Sequence, residues 1–227
     1  MTHDTSTKAA IFGIDRLRMG ADGYGITTLV GFMGCPLRCA YCLNDRCHES
    51  IYQPDGITPR RGIMRLTPEE LYERTRIDDL YFQATGGGVC FGGGEPMLHY
   101  RFIHEFRQLC NPRWKITLET SLHGVTKQSI KLQVDDVDLW IVDIKDMRPS
   151  IYKQYTGQES QVSRNLTLMK QMGLQDKTLV KIPLIPNYNT REDVEDSKRQ
   201  LDSMGFKHLL PSTYIRRPTQ HSTSNPQ

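Results

Sequence analysis

The chain has 227 residues, with 29 lysines and arginines against 26 acidic residues, so its formal charge at neutral pH is +3. Hydrophobic residues make up 37%, which excludes a disordered chain, and the length suits one α/β domain. The near-neutral charge, without any basic run carrying interleaved aromatics, gives no electrostatic case for nucleic acid. No run approaches the ~20 apolar residues of a membrane span. Met1 to Ala10 is polar and lacks the apolar core of a signal peptide, so a cytoplasmic location is the expectation.

In chain order, Gly25 to Phe32 is rich in β-branched residues and reads as the first strand. Thr67-Pro68-Glu69-Glu70 combines an N-cap, a proline at the first helical position and a capping glutamate, so a helix is expected to run to about Gln83. Val89-Cys90-Phe91 is a short apolar strand, closed by a turn at Gly92-Gly93-Gly94. Helical spacing covers Tyr100 to Cys110, Ile116 to Glu119 is a strand, and Val125 to Gln133 a helix. Leu139 to Ile144 reads as a strand buried on both faces, and Val162 to Met172 as a helix ended by Gly173. Thr178 to Ile185, Thr190 to Ser203 and Lys207 to Leu210 complete the pattern as strand, helix and strand. Six strands alternating with helices predict a parallel α/β sheet with right-handed crossovers. Residues 1–215 form one expected domain, and 216–227, mostly Ser, Thr, Pro and Gln, an expected disordered tail.

Six cysteines stand at positions 35, 39, 42, 47, 90 and 110, four of them within thirteen residues. That clustering in a chain able to bury its own core points to metal rather than disulfides. Cys35, Cys39 and Cys42 are separated by three and then two residues, directly after the first strand. A structural zinc site normally uses four ligands. Three thiolates on a four-iron cluster would leave one iron open, and a loop at the carboxyl end of a parallel strand is where α/β active sites form.

This spacing, with the aromatic Tyr41 before the last cysteine, resembles the radical S-adenosylmethionine enzymes, and Gly93-Gly94-Glu95-Pro96 resembles that family's glycine turn. The resemblance narrows to the activating enzymes of glycyl radical enzymes. Asp22-Gly23-Tyr24-Gly25-Ile26-Thr27-Thr28 is similar to their D-G-P-G-I-R-T, Leu118-Glu119-Thr120-Ser121 to their L-D-T-N, and Val142-Asp143-Ile144-Lys145 to their D-x-K pattern. Tyr155-Thr156-Gly157 and Lys181 to Pro186 also match.

The resemblance implies a partial (β/α)6 barrel of parallel strands, a single radical SAM core, holding one [4Fe-4S] cluster and S-adenosylmethionine. It makes Cys35, Cys39 and Cys42 the metal ligands, Tyr41 an adenine contact, and Gly93, Gly94 and Glu95 the turn that holds the methionine amino group. Asp143 and Lys145 would be the catalytic pair lining the cofactor or substrate face. Lys181, standing where the family usually has arginine, would approach the cofactor carboxylate. Glu119, Thr120, Ile141 and Asp143 would correspond to a monovalent cation site. The implied activity is reductive cleavage of S-adenosylmethionine by an anaerobic oxidoreductase that abstracts a glycine hydrogen from a partner enzyme. A flavodoxin or ferredoxin would supply the electron, and the chain would act as a monomer.

The chain departs from the family at Tyr24 and Thr27, and Leu209-Leu210-Pro211-Ser212-Thr213 stands where L-L-P-Y-H is common. With only Cys47 between Cys42 and the second strand, the eight-cysteine ferredoxin insertion of many activases has no counterpart. Cys47 as a fourth ligand would close the iron that the cofactor needs, and it reads instead as a spare thiol. Cys90 and Cys110 read as core, as does Trp140, and His48, His99 and His123 as surface or capping groups. Two alternatives stay open: a radical enzyme acting on a small molecule or peptide, and a non-catalytic zinc or iron–sulfur module.

Overall fold

The six segments expected as strands all pair, each parallel to the next: β2 (Ile26–Phe32), β4 (Gly88–Gly93), β5 (Lys115–Thr120), β6 (Leu139–Asp143), β7 (Thr178–Leu184) and β8 (His208–Thr213). This computed structural model describes residues 7–20 and 22–214; the expected tail at 216–227 lies outside them. Two further strands, β1 (Ala9–Met19) and β3 (Met64–Leu66), extend the sheet beside β2 as an antiparallel edge. The order is β3-β1-β2-β4-β5-β6-β7-β8, an open sheet whose parallel (β/α)6 array runs from β2 to the far edge at β8. Neither added strand belongs to the strand–helix alternation, which is why the sequence pattern passes over them.

Among the described residues seven α-helices connect the strands: α1 (Pro68–Thr75), α2 (Asp79–Thr85), α3 (Tyr100–Leu109), α4 (Lys127–Gln133), α5 (Pro149–Thr156), α6 (Val162–Gln171) and α7 (Arg191–Ser203). The Thr67 capping box forms as expected, with Thr67 N donating to Glu70 at 2.8 Å and Glu70 N to Thr67 Oγ1 at 3.2 Å. The single helix expected from there to Gln83 is instead two, split by a 3-10 turn at Arg76–Asp78. Asp78 is the reason. Its carboxylate is fully buried and accepts from Arg16 Nε and, at 2.9 Å, from Thr28 Oγ1, so the chain turns inward there to reach β1 and β2. Helix α5, which the sequence reading passed over, starts at Pro149 and ends at Gly157, whose φ of 74° suits glycine.

The strands alternate, and the two faces of the sheet differ. Val89, Phe91, Ile116, Leu118, Trp140, Val142, Val180 and Ile182 join the helix residues Leu71, Phe102, Phe106, Ile130 and Leu166 in one buried core. At 20–33 cal/mol per Å² of buried apolar area, this helix-covered face is the main source of stability. The opposite face carries Glu119, Asp143 and Lys181, all half-buried. Leu139–Asp143 is therefore not uniformly enclosed as a two-sided apolar strand would be: Leu139 and Asp143 reach the partly open face. Cys90, Cys110 and Trp140 are buried as expected. No helix among the described residues is long and apolar enough to cross a membrane.

Candidate active site

The cysteine loop leaves β2 at its carboxyl end and is pinned from three sides. Met33 N donates to Ala10 O of β1 at 2.8 Å, and Gly34 N to Cys47 O at 2.8 Å, closing the loop on itself. Arg38 N donates to Thr156 O at 2.9 Å and Ala40 N to Tyr155 O at 3.0 Å. These last two bonds give the Tyr155-Thr156-Gly157 stretch its physical role. Carbonyls at the end of α5 lack helical partners, and here they hold the backbone between Cys35 and Cys42.

The glycine turn lies against the same loop. Gly94 N donates to Phe32 O at 2.9 Å and Glu95 N to Gly34 O at 2.8 Å. A Cβ on Gly94 would stand 2.1 Å from the Gly34 carbonyl oxygen, so only glycine lets the two backbones meet. Gly93, at φ 85°, would likewise place a Cβ 2.8 Å from Gly31 Cα. Glu95 is fully buried: Thr120 Oγ1 (2.5 Å) and Met97 N (3.1 Å) donate to its Oε1, Ser121 N (2.9 Å) and Ser121 Oγ (2.6 Å) to its Oε2. Burial pushes the Glu95 carboxyl above its ordinary range, against the pull of those donors. Its carboxylate thereby ties the β4 turn to the end of β5.

Two ion pairs cross the partly open face. Lys145 Nζ meets Asp143 Oδ2 at 2.5 Å, and Lys181 bonds Glu119. Asp143 and Lys181 are register partners on adjacent strands, so all four groups share one end of the sheet. Lys145 takes a left-handed φ of 61°, uncommon for a residue with a Cβ, which carries its backbone out of the strand. Burial works to lower the Lys145 ammonium pKa, but Asp143 and the Cys39 thiol carry it above the usual lysine value. Lys181, under the same burial, is raised by Glu119. The Thr120 hydroxyl points away from this set, to Glu95.

Tyr41 sits in an aromatic group with Tyr155, Tyr188 and Tyr214, at ring-centroid distances of 6.1, 5.5 and 5.9 Å. Tyr188 and Tyr214 went unnoticed in the sequence because nothing in their spacing marks them. They meet Tyr41 only because the loop after β7 and the end of β8 converge on the cysteine loop.

All three motif cysteines are half-buried. Burial pushes the Cys39 thiol up to about 11, with Lys145 pulling the other way. A hydrogen bond with Cys47 lowers Cys35, and one also lowers Cys42, to about 6. Cys47, read from the sequence as a spare thiol, is thus no bystander in space: it is buried between Cys35 and Cys42 and itself raised by bonding to both. Of the histidines expected as surface or capping groups, His99 is half-buried and His123 is buried. His99 stacks on Phe32 at 4.5 Å, and His123 is buried with Nδ1 3.1 Å from the Tyr152 hydroxyl.

This donor set fits an iron–sulfur cluster. Three thiols come from one loop, two of them lowered by hydrogen bonding with Cys47, and the glycine turn and lysines stand beside it. The monovalent cation does not fit as well. Both carboxylates expected to hold it already face an ammonium group.

Residues 29–201 match the family described as the Radical SAM superfamily. The chain belongs to that superfamily. Its cofactors are accordingly a [4Fe-4S] cluster and S-adenosylmethionine. Among curated relatives, it is 28% identical to the (2S)-3-sulfopropanediol dehydratase activating enzyme of Klebsiella oxytoca, over 81% of this chain and 74% of that one. It is 36% identical to the pyruvate formate-lyase-activating enzyme of Clostridium pasteurianum, over 60% of this chain and 52% of that one. Similarity to the pyruvate formate-lyase 2-activating enzyme of Escherichia coli is 28%, over 89% and 77%. In fold it resembles Streptococcus suis SuiB bound to precursor peptide SuiA, with a TM-score of 0.61 at 14% identity, over 82% of this chain and 38% of that one. The anSMEcpe structure with bound AdoMet gives 0.61 at 17%, over 85% and 50%. The chain thus spans half or less of those solved chains, and the likeness to them is one of fold.

Proposed function

We propose that this radical SAM protein activates a glycyl radical enzyme by abstracting a hydrogen from a backbone glycine of that partner. The observation that carries the reading is the seating of the cysteine loop on the Tyr155 and Thr156 carbonyls, beside the Gly93–Glu95 turn. It joins three of the family's motifs into one site, and the curated relatives named above bear activating-enzyme names. Cys35, Cys39 and Cys42 would hold the cluster, which when bound would supply the electron for reductive cleavage of S-adenosylmethionine and so the hydrogen-abstracting chemistry. The chain's own residues bind and orient. The Gly93–Gly94 backbone takes the amino group, Lys181 or Lys145 the carboxylate, and Tyr41 the adenine, while Asp143 holds Lys145 in place. Lysine supplies charge here without arginine's bidentate fork. A protein substrate, a flavodoxin or ferredoxin donor, and action as a monomer complete the proposal.

The test is anaerobic reconstitution followed by dithionite and S-adenosylmethionine. About four irons per chain, 5′-deoxyadenosine, and a glycine-centred paramagnetic signal on mixing with a glycyl radical enzyme are expected. Formation of 5′-deoxyadenosine with no glycyl signal from any partner overturns the activase reading while leaving radical chemistry intact. The ion pairs add a second expectation. With Glu119 and Asp143 already neutralised by lysines, cleavage should run equally fast in potassium and in tetramethylammonium buffers. A clear potassium stimulation would show that the lysines do not stand in for a cation.

A further inference from the structure

We propose that the outer face of the cysteine loop is a second metal site, built for one thiophilic ion such as Zn²⁺ and mutually exclusive with the cluster. The Cys42 and Cys47 sulfurs and a ring nitrogen of His48 lie within 4.8 Å of one another. Around a tetrahedral zinc, with bonds of about 2.0–2.3 Å, donor atoms sit about 3.5–4 Å apart, so small side-chain movements close such a set. Cys35 lies outside that set but is hydrogen-bonded to Cys47, so it is the thiol that a further movement of the loop would bring in as fourth donor, and three cysteines with one histidine form a recurrent tetrahedral zinc set. A cubane instead places each thiolate on a different iron, and the residue it uses that this site does not is Cys39, whose charged neighbours are Lys145 and Asp143.

Cys47 does not arrive there by chance of a loose loop. Its N–H donates to Asn44 O at 2.9 Å, its carbonyl accepts from Gly34 N at 2.8 Å, and the residue is 2% exposed. An entry path exists as well, since Cys35, Cys47 and His48 line a cavity of about 430 Å³ that reaches the surface beside Arg38 and Arg65. Binding takes the three cysteines as thiolates, releasing to solvent whatever protons they still carry, leaves the imidazole neutral, and moves no electrons. Because Cys35 and Cys42 serve both sites, an ion bound here holds the chain in a cluster-free state.

Cobalt(II) titration of the reduced, metal-free full chain under anaerobic conditions tests this. One equivalent should give thiolate-to-cobalt absorption and tetrahedral d–d bands that zinc then bleaches. Cys47→Ala and His48→Ala should each weaken cobalt binding by at least the ~10-fold that loss of even an outer-shell partner costs. Cys39→Ala should bind cobalt as the parent does. Iron and sulfide retention should show the reverse pattern, lost in Cys39→Ala and kept in Cys47→Ala, and zinc loaded first should block reconstitution. Parent-like cobalt binding by both Cys47→Ala and His48→Ala, or its loss in a folded Cys39→Ala chain, overturns the proposal. Should Cys47→Ala unfold by circular dichroism, His48→Ala carries the test. The cobalt readout needs neither S-adenosylmethionine nor a partner, so it stands even if the activase reading fails.

Discussion

A Gly94→Ala chain is expected to retain no cluster after reconstitution and to melt well below the parent. The added methyl would sit 2.1 Å from the Gly34 carbonyl oxygen and 2.8 Å from the Phe32 carbonyl oxygen. Both obstacles are backbone, so no side chain can swing aside. Relief requires the β4 turn and the cysteine loop to separate, breaking the bonds from Gly94 N to Phe32 O and from Glu95 N to Gly34 O. Overpacking of a close-packed contact costs about 1–3 kcal/mol, and two backbone bonds add about 1 kcal/mol each. Cys35 follows Gly34 directly, so the displacement falls on a ligand. Gly86→Ala is the control. It also sits at a left-handed φ, 68°, but its Cβ would enter open space. It should lower stability by about 1–2 kcal/mol, the left-handed penalty alone, and leave iron retention unchanged. Equal iron retention by Gly94→Ala and the parent would show that the turn does not brace the loop.

Glu95→Gln should be nearly as damaging, although it changes one atom. Each carboxylate oxygen receives one hydroxyl and one backbone N–H: Thr120 Oγ1 and Met97 N on Oε1, Ser121 Oγ and Ser121 N on Oε2. Hydroxyls can rotate, but backbone N–H groups cannot. Whichever way the amide is turned, its NH₂ meets a buried N–H, and one unsatisfied donor costs about 1–3 kcal/mol. The same site gives a pH dependence. Burial raises the Glu95 carboxyl in the folded chain, so the folded state binds this proton more tightly than the unfolded one. Stability therefore falls as pH rises from the ordinary glutamate range up to the raised value, and is flat above it. Urea denaturation of parent and Glu95→Gln across that range should show this slope only in the parent. A parent-like slope in the variant would assign the titration to another group.

Much of the core was legible in the sequence because its determinants are local. Alternation and β-branching place the six parallel strands within a few residues of where they form, and Thr67 and Glu70 announce the start of α1 on their own. Asp78 shows the limit. Nothing in the run from Thr67 to Gln83 says that one acid must bend inward to reach Arg16 and Thr28, because both partners lie some fifty residues or more away. The antiparallel edge was missed for a similar reason. β1 pairs across the sheet rather than through a crossover helix, so its pattern carries no strand–helix rhythm.

The cysteine spacing, the glycine turn and the lysines could be read as candidates by position alone, since a motif is a statement about neighbours in the chain. Which charges meet, Lys181 with Glu119 and Lys145 with Asp143, depended on strand register. Which thiols meet depended on how the loop after Cys42 returns to Gly34. The composition showed six cysteines and a preference for metal over disulfides. Their division is a tertiary matter: Cys90 and Cys110 go to the core, while Cys47 joins Cys35 and Cys42, because a backbone bond from Gly34 folds the loop back upon itself.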